Sequence, residues 1–316
     1  MLKTDICELF GIEHPIIQGG MAHLGTTELV SAVSDAGGLG IIGAGNAEPE
    51  WVRQQIHLAR EQTSKPFGVN IIMISPFAKE VIEVTLAEKV SLVTFGAGNP
   101  GVYISRLKEA GIKTMPVVAS VTLAKRLERS GADAIIAEGM ESGGEVGETT
   151  TMALVPQVVD EVQIPVVAAG GIADGRGLAA ALALGAQGVQ LGTRFACSDE
   201  CVAHPRYKWK VLKAGDRSTT ITARRTGYPM RSVENRLTRR FHEMEDAGAS
   251  IDELKALGKG RLRLGLMGGD VDEGSLIAGQ IAGLIKEIKP VNTIIEEIIT
   301  EAEAIIAGLN KFCGED

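Results

Sequence analysis

Three glutamates and four glycines fall within ten residues, Glu138-Gly139-Met140-Glu141-Ser142-Gly143-Gly144-Glu145-Val146-Gly147. They follow an apolar run, Ala134-Ile135-Ile136-Ala137, that reads as a buried strand. Carboxylates crowded at a strand end disfavour one another's ionisation and are candidates for proton chemistry. Glycines there let backbone N–H groups approach a ligand closely. Two later strand ends carry the same signal, Ala168-Ala169-Gly170-Gly171-Ile172 and Gln190-Leu191-Gly192-Thr193-Arg194. Small polar groups recurring at successive strand ends point to one shared ligand.

The elements that must position these groups are regular. Apolar runs of strand length lie at 14–17, 39–42, 67–72, 91–95, 115–119, 134–137, 165–168 and 188–191. None alternates polar with apolar residues, so each reads as a parallel strand buried on both faces. Helical patterns occupy 26–36, 49–62, 104–110, 124–130 and 178–184, the first ending at Gly37-Gly38. Eight β-α units in residues 1–200 predict a (β/α)8 TIM barrel. A doubly wound sheet is the rival, because Gly96-Ala97-Gly98-Asn99-Pro100-Gly101 matches a dinucleotide-binding glycine pattern. That pattern expects an acidic residue at the end of the next strand, and Ala119-Ser120 stands there instead. The barrel is therefore the expected fold, with 96–101 as one of its loops. Residues 201–285 lose the rhythm and predict a helical lid without a buried strand. Residues 286–316 predict a C-terminal helix, from Val291 to Leu309, packing back on the barrel.

The 316 residues are 45% hydrophobic and only 4% aromatic, so the core must be aliphatic. A net charge of −8 argues against nucleic acid as a general partner. The basic stretch 206–240 is either a solvated helical face or a docking surface for an acidic partner or a phosphorylated cofactor. Cys7, Cys197, Cys201 and Cys313 are too scattered for a disulfide scaffold, and no metal-ligand spacing occurs. No run of about 18 apolar residues suggests a membrane span, and a cytoplasmic protein is expected.

The loops after strands 7 and 8 of a barrel often hold phosphate, and here they are Gly170-Gly171 and Gly192-Thr193. The chain resembles the FMN-dependent family of nitronate monooxygenases and enoyl-acyl-carrier-protein reductase II. The resemblance lies in His14-Pro15-Ile16-Ile17-Gln18-Gly19-Gly20-Met21, Gly37-Gly38-Leu39-Gly40-Ile41-Ile42-Gly43, Pro66-Phe67-Gly68-Val69-Asn70, Ala137-Glu138-Gly139, Ala168-Ala169-Gly170-Gly171-Ile172-Ala173 and Gln190-Leu191-Gly192-Thr193-Arg194-Phe195. Ala278-Gly279-Gln280-Ile281-Ala282-Gly283, and Glu138 where many nitronate monooxygenases carry Gln, resemble the reductase branch.

The resemblance implies bound FMN. Gly19, Gly20 and Met21 would lie near the isoalloxazine ring, and Asn70 and Glu138 would hydrogen-bond the flavin. Gly143, Gly170, Gly171, Gln190, Gly192 and Thr193 would hold ribityl and phosphate. It also implies NADH or NADPH as co-substrate, an acyl-carrier protein or acyl thioester as substrate, and a homodimer. One departure matters: both branches usually carry a His where this chain has Glu145. Glu145 acts as acid/base in its place, or another group such as His23 at the strand-1 rim does, or the protein is weakly active. Three functions are expected on these grounds: an FMN-dependent enoyl-acyl-carrier-protein reductase, a nitronate monooxygenase using oxygen, or a barrel that binds flavin without turnover or phosphate sugars without flavin.

Overall fold

The computed structural model describes residues 2–309 and 311. Cys313 lies outside them, as does the end of the 286–316 segment. Eight parallel strands alternate with helices: β1 (Ile16–Gln18), β2 (Gly40–Gly43), β3 (Phe67–Ile72), β4 (Leu92–Gly96), β5 (Lys113–Val118), β6 (Ile135–Glu138), then β8 (Val166–Ala169) and β9 (Gly188–Leu191). Between β6 and β8 a two-residue strand, β7 (Gly144–Glu145), leaves the barrel. The strand order is β1-β9-β8-β6-β5-β4-β3-β2. Closure comes from Ile17 pairing with Leu39, where Gln18 N–H donates to Leu39 O and Leu39 N–H to Ile16 O, both at 2.9 Å. The sheet is therefore a barrel and not the doubly wound rival. Residues 96–101 form the turn from β4 into helix Gly101–Glu109.

Inward-facing residues recur with the period of two that a strand imposes. Ile17, Leu39, Ile41, Leu92, Met115, Ala134, Ile136, Val167 and Ala169 form one buried cluster inside the barrel. Helix Asp5–Phe10 adds Ile6, Cys7 and Phe10 to it. Helix Val291–Leu309 packs on helices Gly175–Ala183 and Thr27–Asp35, burying Ile294, Ile295, Ile298 and Ile299. Cys7, Cys197 and Cys201 are buried and free, and burial pushes the Cys197 thiol up to about 12.

Residues 201–285 differ from expectation. They contain β10 (Thr219–Thr222) and β11 (Met230–Val233), an antiparallel pair that continues onto β7 in the order β10-β11-β7. Helices Arg236–Asp246 and Ile251–Gly258, each opened by a capping box, enclose a small core of Leu237, Phe241, Leu254 and Leu257. The basic stretch is not one surface. Lys208 is buried, its Nζ donating to Ser198 O and Cys201 O. Arg231 is also buried, whereas Arg217, Arg224 and Arg240 are exposed. Among the described residues no helix is long and apolar enough to cross a membrane, and no cluster could hold a metal ion.

Candidate active site

A cavity of about 670 Å³ opens at the C-terminal ends of the barrel strands. Its floor and walls come from the ends of all eight barrel strands, including Gly19–Met21, Asn46, Asn70, Gly96, Ala119, Glu138, Gly170 and Gly192. Its roof comes from the 201–285 region, through Tyr228, Met230, Leu262, Leu266, Ile277 and Ile281. Parallel strands deliver their last residues to one end, which is why groups as distant in sequence as Gly19 and Gly192 meet here.

Gly19, Gly20, Met21, Asn70, Glu138, Gly143, Glu145, Gly170, Gly171, Gln190, Gly192 and Thr193 all line the cavity. His23 does not: it is exposed on the β1 loop in a left-handed conformation (φ 67°). The partial desolvation that its ring still meets there, and neighbouring Arg263, hold its imidazole below the ordinary range. The fold therefore does not place His23 at the cavity with Glu138 and Glu145.

The three glutamates of the β6 loop separate into distinct roles. Glu141 caps a helix: both its oxygens accept from Thr151 N–H, at 3.0 and 2.9 Å, and one accepts the Thr151 hydroxyl at 3.0 Å. It thereby satisfies an N–H group that a helix leaves without an internal partner at its first turn. Glu138 sits at the end of β6, lining the cavity and partly shielded from solvent. Burial first, and then repulsion from Glu145, raise its carboxyl to about 7. Ser142, whose buried hydroxyl lacks a hydrogen bond of good geometry, is close enough to oppose part of that rise. Glu145 is on β7, opposite Met230, and burial raises its carboxyl too, although its side chain remains accessible.

The loop bearing these groups is held tightly. Gly143 lies against the backbone of 278–279, and a Cβ there would meet Ala278 C at 2.7 Å and Gly279 N at 2.8 Å. Gln280 N–H donates to Glu141 O at 2.9 Å, and Gly279 N–H to Thr193 Oγ1 at 2.9 Å. On β3, the Asn70 side-chain amide donates to Thr94 Oγ1 at 3.0 Å, leaving its carbonyl oxygen uncommitted beside Gly20. Ser142, Thr94 and the roof residues escape a reading of the sequence. Their signal, polar or apolar residues near strand ends, is too common to single them out.

The residues present suit a flavin mononucleotide. No Lys or Arg lines the cavity, but the N–H groups of Gly143 and Gly171 have no acceptor among the described residues. Gly170 and Gly171 both adopt positive φ, 84° and 73°, a left-handed turn that glycine takes without strain. Concavities of backbone N–H bind phosphate without a buried cation. The Glu138 carboxyl, the Asn70 carbonyl oxygen and the orphaned Ser142 hydroxyl offer donors and acceptors to a heterocycle.

The Glu138 carboxyl has a consequence for stability. Its affinity for the proton is higher folded than unfolded, so its contribution is fully present below about pH 4.5 and is lost as pH rises through about 7. The apoprotein is expected to lose up to about 3 kcal/mol across that window. Glu138→Gln should remove this slope, so that variant and native curves from urea unfolding separate between about pH 4.5 and 7 and run parallel above neutrality. Parallel curves at all pH values would show that Glu138 titrates normally.

Comparison with known proteins agrees with this geometry. The family profile described as "Nitronate monooxygenase" matches residues 3–81 and 75–301. The solved structure of FabK from Thermotoga maritima is 51% identical, with a TM-score of 0.97 over 99% of this chain and 100% of that one. A Mycobacterium tuberculosis protein named (3aS,4S,5R,7aS)-5-hydroxy-7a-methyl-1-oxo-octahydro-1H-indene-4-carboxyl-CoA dehydrogenase is 34% identical over 95% of this chain and 96% of its own length. A probable nitronate monooxygenase of Staphylococcus saprophyticus is 37% identical over 78% of this chain and 82% of its own.

Proposed function

We propose that this chain, which belongs to the nitronate monooxygenase family of FMN-dependent oxidoreductases, reduces trans-2-enoyl thioesters at the expense of NADH or NADPH, as an enoyl-acyl-carrier-protein reductase of fatty acid synthesis. The observation that carries the reading is the charge of the cavity. It is lined by three glutamates and no Lys or Arg, under an apolar roof of Met230, Leu262, Leu266, Ile277 and Ile281. An alkyl nitronate is a small anion, and with the Gly143 and Gly171 N–H groups taken by the flavin phosphate it finds no cation there. A neutral enoyl thioester finds apolar surface for its chain and a carboxyl group for its reacting end.

Gly19, Gly20 and Met21 flank the flavin ring in this reading, with Asn70 and Glu138 on its polar edge. Gly143, Gly170, Gly171, Gln190, Gly192 and Thr193 hold the ribityl chain and phosphate. Bound there, FMN supplies two-electron transfer from the reduced nicotinamide to the thioester β-carbon. The α-carbon needs a proton, and Glu145 delivers it. Its raised carboxyl keeps more of the acid form than an ordinary glutamate would at the same pH, and its accessibility allows reprotonation from water. Residues 1–200 are the flavin barrel, 201–285 the substrate-covering region and 286–316 its C-terminal support. Exposed Arg217, Arg224 and Arg240 suit an acidic carrier protein. The working enzyme is a cytoplasmic homodimer.

Nitronate oxidation is the second reading, favoured by the names of the staphylococcal relatives. Product analysis separates them. The purified holoenzyme should convert crotonyl thioester to butyryl thioester with equimolar loss of NADH. Oxygen consumption with propyl nitronate, and no butyryl product, would establish the alternative.

A further inference from the structure

The loop that carries Glu145 is shaped by a strand from a different part of the chain. β11 is the middle strand of the small sheet, with Met230 opposite Glu145 and Arg231 opposite Gly144. Val146 N–H extends the contact by donating to Pro229 O at 3.0 Å. At its other end β11 meets the 276–277 segment, where Val233 N–H donates to Leu276 O at 2.9 Å and Ser232 pairs with Ile277. One four-residue strand thus joins the covering region, the β6 loop and the segment that packs on Gly143.

Arg231 is the side chain that fixes this junction. It is 3% exposed, and its Nε and Nη2 both donate to Met140 O, at 3.1 and 3.0 Å. Its Nη1 donates to Thr219 Oγ1 on β10 at 3.1 Å. The guanidinium therefore ties β10 and β11 to the carbonyl two residues beyond β6, within the loop that ends at Glu145. A two-residue strand such as β7 has too few ladder bonds to hold its own register. A buried fork of charge-assisted hydrogen bonds supplies what it lacks, and only the planar guanidinium offers that fork.

We propose that Arg231 is a positioning residue that holds Glu145 in place for proton delivery by locking the covering hairpin to the β6 loop. The inference rests on the proposed role of Glu145, but its structural half is measurable without turnover. Two variants test it, Arg231→Met and Arg231→Lys, the second keeping a buried positive charge without the fork.

In both, amide hydrogen exchange in peptides covering 140–147 and 219–233 should rise at least ten-fold while barrel-strand peptides stay protected. With the protein saturated with FMN, the rate of flavin reduction by NADH should remain within about three-fold of native. Reoxidation by crotonyl thioester should fall at least ten-fold, in kcat more than in KM. Unchanged exchange at 140–147, or full recovery of the thioester step in Arg231→Lys, would overturn the proposal. Equal loss of both half-reactions together with barrel protection would also overturn it, since that is the mark of a general structural role. If the native holoenzyme fails to reduce the thioester at all, the proposed function falls while the exchange result still decides whether Arg231 locks the loop.

Discussion

Replacing Glu145 by Gln should slow the thioester step by about 10²-fold or more, the usual contribution of a positioned general acid. Gln keeps the shape and the β7 pairing to Met230 but has no proton to give. Flavin reduction by nucleotide needs no proton at the thioester α-carbon, so it should change little. Single-turnover measurements of the two half-reactions separate these effects. Native activity should also fall as pH rises and Glu145 ionises, and that limb should vanish in the variant. Glu145→His places a different acid at the same position and should restore turnover to within about ten-fold of native, since imidazole titrates near neutrality. Indifference of both half-reactions to Glu145→Gln would remove Glu145 from the mechanism.

The second large effect is expected at Gly143. A methyl group there would lie under 3 Å from three backbone atoms of Ala278 and Gly279, none of which can rotate away. Gly143→Ala must therefore push the β6 loop off the 278–280 segment and stretch the Gln280 N–H to Glu141 O bond. Overpacking of this kind costs about 1–3 kcal/mol. Because the Gly143 amide is one of the free donors facing the cavity, FMN affinity should fall by about 100-fold. The variant should purify nearly colourless, with little absorbance near 450 nm and a lowered Tm. Gly215→Ala, where only Ser218 Oγ lies near at 3.8 Å, is the matched control and should retain its flavin. Full flavin content in Gly143→Ala would mean that this loop does not hold the cofactor.

Much of the barrel is legible in the sequence because burial on both faces leaves long apolar runs. β3 at 67–72 and helices 49–62 and 291–309 fall where the pattern puts them. β1 starts two residues later than its apolar run and extends through a polar residue, Gln18. The discrepancy is physical: Gln18 is buried because its side-chain amide donates to Ile41 O and Gly19 O, a partnership invisible to hydropathy. Pro15 precedes the strand yet still accepts from Val189 N–H. β10 and β11 escape notice because Thr219–Thr222 and Met230–Val233 are short and polar. They are stabilised by pairing over a cavity, so they carry no buried apolar run.

The site is legible in the same uneven way. Glycines and carboxylates at strand ends converge because parallel strands end together, and Glu138 and Glu145 come to share one cavity. The cap formed by Glu141 on Thr151 depends on a turn spanning ten residues, and nothing in the sequence distinguishes it from its two neighbours. His23 draws attention as a titratable group beside β1, but it is exposed in a left-handed turn and lines no part of the cavity. The role of Arg231 needs the register of β11 against β7, which only the folded chain displays.

The most direct test of the central claim is an anaerobic stopped-flow experiment on the purified holoenzyme, followed by absorbance near 450 nm. NADH or NADPH should bleach the flavin rapidly, and crotonyl thioester added next should restore the absorbance in step with formation of butyryl thioester. Slow bleaching by either nucleotide, or a bleached flavin that thioester cannot reoxidise, would contradict the assignment as an enoyl-thioester reductase.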